Sequence, residues 1–294
     1  MPVYPDTDQR GVAVKVNDSK MAGPQEYGNL KDRVRRHWDA EPCGTRDILE
    51  SDRSRFFRNL ERDRYVREPY IHSFARFARG HGRDVLEVGV GAGTDFVNWV
   101  RHGARARGVD LTPRGVELTE ERLALEGLYA DVRVADAERL PFDDESFDIV
   151  YSYGVLHHSP DTARAIGEIE RVLRPGGTAL VMIYHVPSWV GFMLWALHCA
   201  AKLRPWRSPR WAMYHYLESP GTKAYTRGEA RAMFAGFREV RVWTQLSHGD
   251  LLLMRPGEKY DGGIHRLLWR LYPRWLVRRT GNVFGTNLFV EAVR

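Results

Sequence analysis

Between Val85 and Phe96 the chain reads VLEVGVGAGTDF, a β-branched run that turns at Gly89, Gly91 and Gly93 and emerges into a helical pattern. Residues without a Cβ let the backbone turn tightly and approach a ligand, and the helix start beyond them offers free N–H groups. A dinucleotide fingerprint would carry its last glycine where Thr94 stands, which weakens a nicotinamide or flavin reading. Asp110 closes RGVD, where its carboxylate can accept hydrogen bonds from both hydroxyls of a ribose or merely cap the next helix. Asp136 and Ala137 stand in VADAERLPF, placed for an adenine amino group and ring face. FDIVYSYGVLHH then brings Ser152, Tyr153, His157 and His158 to the same side. A histidine near neutral pKa can take a proton from a hydroxyl or an acidic carbon, and packing or capping is the alternative use. Of the two, His157 is the preferred candidate to face an acceptor.

These residues need a scaffold that gathers strand ends. Strand signals at 84–90, 104–110, 130–136, 146–153 and 178–185 alternate with helical ones at 94–100, 113–125 and 162–173, the last closed by RPGG. Such alternation predicts an α/β fold, a Rossmann-like, doubly wound and mostly parallel sheet with right-handed crossovers. Successive strand ends then converge on one crevice, where open α/β sheets bind ligands. A helix at 227–234 and strands at 237–245 and 285–293 bring the sheet to seven strands. Residues 1–25 read as a flexible leader and 26–80 as a helical N-terminal cap broken at EPCG. Residues 81–294 read as the main domain, with inserts at 186–225 and 247–282.

Composition narrows the setting. The 294 residues carry 44 Lys+Arg against 38 Asp+Glu, a net charge of +6, and 43% are hydrophobic, which excludes a largely disordered or collagen-like chain. Arginines scattered among acids describe a solvated surface better than a nucleic-acid groove. Cys43 and Cys199 are the only cysteines, far apart, so neither a disulfide framework nor a thiolate zinc site is expected, and no metal is assigned. The start lacks the apolar core of a signal peptide, and the longest apolar stretch, 186–201, is interrupted by Pro187, Ser188 and His198, so a cytoplasmic protein without a membrane span is expected.

Taken together, EVGVGAG, GVD, ADAERLPFDDESFDIV, GVLHHSPD and EIERVLRPGG occur in an order that resembles class I S-adenosylmethionine-dependent methyltransferases, of the broad group that includes quinone and other small-molecule methyltransferases. The resemblance covers residues 84 to about 185. It implies S-adenosyl-L-methionine as cofactor, with Glu87 and the backbone of Gly89, Gly91 and Gly93 holding the methionine portion. Asp110 would bind the ribose, Leu111 pack on the adenine, Asp136 receive the adenine amino group beside Ala137, and Ser152 and Tyr153 line the sulfonium end. SYGV stands where amino-directed nucleic-acid methyltransferases carry an Asn-Pro-Pro-Tyr type of motif, which argues against base methylation and against a nucleic-acid partner. The other readings are a cofactor-using enzyme of a non-methylating reaction, such as cyclisation, and a non-catalytic cofactor-binding partner protein.

The acceptor is expected to be a small hydrophobic molecule, quinone-, isoprenoid-, polyketide- or lipid-like. Trp38, Tyr70, Tyr184, His185 and Trp189 are the candidate pocket residues, and the aromatic insert at 186–225 stands where this family builds a substrate roof. In HRLLWRLYPRWLVRR, Arg266, Arg270, Arg274 and Arg278 recur beside Leu267, Leu268, Leu271 and Trp275. That pattern suits a helix on an anionic membrane surface, hence peripheral membrane contact, although Pro273 interrupts it and an amphipathic packing helix has the same look. Nothing in the sequence fixes the oligomeric state or whether carbon, oxygen or nitrogen is methylated.

Overall fold

The computed structural model describes residues 24–45, 50–219, 221–253 and 269–294, with side chains from residue 30 onward at the N-terminal end. Its centre is a seven-stranded sheet in the order β3-β2-β1-β4-β5-β7-β6. The strands are β1 (Asp84–Val88), β2 (Arg105–Asp110), β3 (Asp131–Val134), β4 (Phe147–Tyr153), β5 (Leu173–Tyr184), β6 (Glu239–Gln245) and β7 (Asn287–Val293). The first five pair in parallel, and β7 runs antiparallel between β5 and β6. The mostly parallel, Rossmann-like α/β class expected from the alternation is the one observed.

Period-two alternation along the strands divides the core. Val85, Ile149, Tyr151, Leu180 and Phe289 face one side and pack on α3 (Tyr70–Ala75), α4 (Phe96–Arg101) and α5 (Pro113–Leu125). Leu86, Val150, Val181 and Val290 face the other and pack on α6 (Thr162–Val172) and α9 (Arg227–Met233). Helix starts carry local caps: Thr112 caps α5 through Gly115 N with Pro113 in its first turn, and Asp161 caps α6 through Arg164 N.

In front of the sheet lie α1 (Pro24–Ala40) and α2 (Arg53–Arg67), separated at the Pro42–Gly44 turn. Charge pairs fasten α2 to the main domain: Arg53 bonds both oxygens of Glu121 at 2.5 and 2.7 Å, and Glu61 takes Arg101 and the buried Arg122. The insert after β5 forms α7 (Trp189–His198) and α8 (Pro209–Tyr216), and α10 (Arg274–Arg279) begins directly after Pro273.

Two local expectations are corrected. RPGG does not close α6 as a turn outside the sheet; β5 already begins at Leu173 and carries it. Phe147 pairs with Leu173 and the register shifts before Ile149 meets Thr178, so the surplus residues bulge, with Gly176 at φ +79°. The helix read from Thr94 starts at Phe96, because Gly93 (φ +72°) and the bonds around Asp95 hold the preceding turn. Most of the leader, as well as Arg266, Leu267 and Leu268 of the basic stripe, falls outside the described residues. Among the described residues no helix is long and apolar enough to cross a membrane.

Candidate functional site

A cavity of about 440 Å³ opens at the C-terminal ends of β1, β2 and β4, walled in front by α1 and α2. Its floor is the glycine turn. Gly89 sits at φ +85°, and a Cβ there would stand 2.2 Å from Val155 Cγ2, so only glycine fits. Gly91 (φ +54°) faces open space: its N–H donates to Asp110 Oδ2 at 2.9 Å and its carbonyl accepts from Thr119 Oγ1 at 3.0 Å. Asp110 Oδ1 accepts from Thr112 N and Thr112 Oγ1 at 2.9 and 2.7 Å. One carboxylate therefore ties the turn after β1 to the helix start after β2 and still borders the cavity.

Glu87 is the unusual wall group. It is 3% exposed and its Oε2 has no hydrogen-bond partner among the described residues. Burial, with the nearby Asp95 charge, pushes its carboxyl well above the ordinary glutamate range, and Arg64 offsets only part of this. Asp95 has the opposite fate. Burial acts to raise it, but Arg64, bound at 3.0 and 2.5 Å, and the hydroxyls of Tyr65 and Tyr151, at 3.1 and 2.9 Å, hold it below the usual aspartate value. An unpartnered buried acceptor beside an occupied one is a socket for a cation.

At the far end Asp136 is already engaged. Lys31 Nζ from α1 reaches Asp136 Oδ2 and Glu138 Oε2, both at 2.6 Å, while Glu138 N donates to Asp136 Oδ1 at 2.9 Å. The front helix is thus latched over the place expected to read an adenine. Leu111 and Ala137 line the cavity between Asp110 and Asp136.

The opposite end is bounded by Trp38, Tyr153, Met182, Tyr184, His158, Glu218 and Glu68. Glu68 Oε1 accepts from Tyr153 OH at 3.0 Å, from Tyr70 OH at 3.3 Å and from Asn287 Nδ2 at 3.3 Å. Tyr184 OH donates to Glu218 Oε1 at 2.8 Å. Burial lowers His158 to about 3, so its imidazole is neutral and a poor proton acceptor across physiological pH, with a lone pair free for another ligand.

Several sequence-predicted residues lie elsewhere. His157 is completely buried behind the wall, its ring tilted against that of Tyr184 at 4.0 Å between centroids, because the tight turn at 156–158 points successive side chains in different directions; His158 is the one that faces the cavity. Ser152 turns into the sheet and donates to Val88 O at 3.0 Å. Gly93 lets the turn approach Thr119, where its Cβ would be 3.1 Å away, and does not border the cavity. Tyr70 stands one layer back, accepting from Asn287 at 2.8 Å. His185 bonds Gly285 O at 3.0 Å on the β7 side, and Trp189 donates to Thr280 Oγ1 at 3.1 Å, so neither reaches the cavity. Residues not anticipated at the cavity are Lys31, Cys43, Arg64, Glu68, Asp95, Glu218 and His248; of these Asp95 lies within the glycine motif and Cys43 within EPCG, which reads only as a helix break.

The stretch supplying Glu87, the glycine turn, Asp110, Asp136 and both histidines coincides with residues 86–181, which match the family model described as a methyltransferase domain. Over residues 86–181 the chain is similar to a methyltransferase domain. The chain is similar, at 45% identity over 98 residues, to the phthiotriol/phenolphthiotriol dimycocerosates methyltransferase of Mycobacterium tuberculosis, covering 33% of this chain and 36% of the relative. An uncharacterized protein of Mycobacterium bovis is 36% identical over 171 residues, 58% of this chain and 60% of its own. The chain thus spans little more than a third of the length of the first of these relatives. In fold it is similar to geranyl diphosphate C-methyltransferase from Streptomyces coelicolor, solved with Mg2+, geranyl diphosphate and S-adenosyl-L-homocysteine: TM-score 0.57, 16% identity, covering 93% of this chain and 99% of that one. The residues present fit S-adenosylmethionine, the cofactor that the sequence resemblance implies. The orphaned Glu87 Oε2 suits its ammonium group, and the open face of Gly91 leaves room for backbone contact.

Proposed function

We propose that the protein is an S-adenosylmethionine-dependent methyltransferase acting on a small hydrophobic acceptor. The observation that carries the reading is the pairing of the unpartnered, buried Glu87 carboxylate with a glycine turn pinned by Asp110 in one cavity. When bound, the cofactor supplies an electrophilic sulfonium methyl group. The chain's own work is alignment: Glu87 holds an ammonium, Asp110 keeps the turn in place and offers its remaining lone pairs to hydroxyls, and Asp136, with Lys31, closes the far end. Holding two reactants in line supplies most of the advantage such a transfer needs. Trp38, Tyr153, Met182 and Tyr184 give the other end an apolar wall suited to a prenyl, polyketide or lipid acceptor. The names of the similar proteins, one acting on phthiotriol dimycocerosates and one on geranyl diphosphate, support that class.

Peripheral membrane contact belongs to the same reading. Leu271 and Trp275 are 67% and 68% exposed beside Arg274, and Leu203 and Trp206 are 83% and 74% exposed beside Arg204 and Arg207. Apolar and aromatic tips set among arginines are what an anionic bilayer surface retains. Co-sedimentation with anionic but not zwitterionic vesicles is expected.

The decisive experiment incubates the protein with extract of its source cells and methyl-deuterated S-adenosylmethionine, followed by mass spectrometry. A labelled apolar metabolite is the expected result. Cofactor cleavage without a labelled product points to a non-methylating reaction, binding without turnover to a partner role, and no cofactor binding by calorimetry overturns the reading.

A further inference from the structure

Two imidazoles and a carboxylate converge where the cavity wall meets the segment after α8. One ligand-type atom each from His157, His158 and Glu218 lies within 4.8 Å of the others. The histidines are 0% and 5% exposed, yet both nitrogens of His157 and Nε2 of His158 lack a hydrogen-bond partner among the described residues. A histidine placed merely to pack does not leave both nitrogens unsatisfied, because each unsatisfied buried polar atom costs stability.

The surroundings have the arrangement that orients metal ligands. Ser219 Oγ lies 2.8 Å from His158 Nδ1, with Thr222 Oγ1 behind it at 3.3 Å; when Ser219 accepts the Nδ1 proton, the Nε2 lone pair is left facing Glu218. Glu218 Oε2 stands 3.7 Å from that Nε2, while its Oε1 is steadied by Tyr184 OH at 2.8 Å. Two ligands each about 2.1 Å from one tetrahedral ion are roughly 3.4 Å apart. The His158–Glu218 pair is within a few tenths of an ångström of that spacing, and a bound ion would draw in the third ligand.

We propose that His157, His158 and Glu218 form a binding site for one first-row divalent metal ion, zinc by preference. Two imidazoles with one carboxylate select such an ion over Mg2+ or Ca2+, which take mostly oxygen ligands. His158 and Glu218 line the cavity and His157 lies behind it, so an ion held by the three would border the cavity. The sequence hides this set because Glu218 lies far along the chain, in an insert without a ligand-spacing pattern. The site itself rests on geometry alone; its use rests on the methyltransferase reading, in which an ion there would lower the pKa of an acceptor hydroxyl bound to it and ease the passage of that proton to water.

The test uses the full chain without a histidine tag, dialysed against chelator and titrated with Co2+. One equivalent is expected to bind, with the visible absorption of a tetrahedral site, and Zn2+ should displace it. His158→Ala and Glu218→Gln should each weaken binding by about tenfold or more, and Ser219→Ala by about tenfold through loss of the orienting bond. His215→Ala, on the exposed face of α8, should leave binding unchanged. Absence of a cobalt spectrum, or affinity unaltered in a folded Glu218→Gln protein, overturns the inference. Calorimetry with S-adenosylmethionine on the same metal-free samples keeps the two readings apart: cofactor binding without metal binding sinks only the metal site, and the reverse sinks only the methyltransferase assignment.

Discussion

Replacing Glu87 by Gln should weaken the binding of cofactor and strengthen the protein that lacks it. Gln preserves the volume at a position only 3% exposed and removes the ionisable group whose Oε2 has no partner. A charge-assisted hydrogen bond between a buried carboxylate and an ammonium contributes about 1.5–3 kcal/mol, so S-adenosylmethionine should bind Glu87→Gln roughly 10- to 150-fold more weakly. Burial and the Asp95 charge raise the Glu87 carboxyl above its ordinary 4.5, so it holds its proton into a higher pH range and releases it when the ammonium arrives. Wild-type affinity should therefore rise with pH through that raised value, with up to one proton released per ligand, and the variant should show neither effect. The sign for stability is opposite. A carboxyl whose pKa is raised on folding contributes stability that is fully present below the unfolded value and lost as pH rises through the folded one. Gln carries no such loss, so ligand-free Glu87→Gln should resist urea better than wild type above that range. Titration calorimetry in two buffers of different ionisation enthalpy, with urea unfolding alongside, measures all three quantities. Wild-type affinity and proton release in the variant, or lower stability without ligand, would refute the assignment of Glu87 as the ammonium socket.

Other perturbations separate scaffold from site. Asp95→Ala strands the Arg64 guanidinium and two tyrosine hydroxyls, and should cost about 3–5 kcal/mol in urea unfolding. Gly89→Ala drives a Cβ to 2.2 Å from Val155 at φ +85°, and should lose about 1–3 kcal/mol of stability together with cofactor binding, whereas Gly91→Ala, with nothing within 4 Å, should lose less stability. Asp84 is held at about 2, first by its hydrogen bonds from Arg105 and then by Arg174, against an ordinary 3.8. Its stabilising contribution is present above 3.8 and fades as pH falls toward 2, so Asp84→Asn should be less stable than wild type at pH 7 and nearly equal to it near pH 2 in urea titrations.

The frame was legible because strands, glycine turns and helix caps are written locally. The alternation near 85, 107 and 150 and the Thr112–Pro113 start needed no distant partner to be read. Side-chain direction was less accessible. His157 and His158 are neighbours in sequence, and only the shape of the turn at 156–158 decides which one meets the cavity. Lys31, Glu68 and Glu218 enter from the front helices and the insert, where helical periodicity shows which residues could be buried but not what they touch. Trp189 was misplaced for a related reason: an aromatic run marks a packed surface, and Phe192 and Phe284 are the surface it packs against.

The placement of β7 has a bearing on how the molecule is made. β6 has β7 as its neighbour, and β7 fills the gap between β5 and β6 although it is translated after both. While the ribosome is still adding residues 246–286, β5 shows an open edge and β6 has nothing to pair with. Asn287, which braces Glu68 and Tyr70, is absent for the same interval. A nascent chain halted there would expose unpaired strand edges of the kind that recruit other chains. Truncation or ribosomal pausing in this region should therefore yield aggregation and chaperone dependence rather than a smaller folded domain.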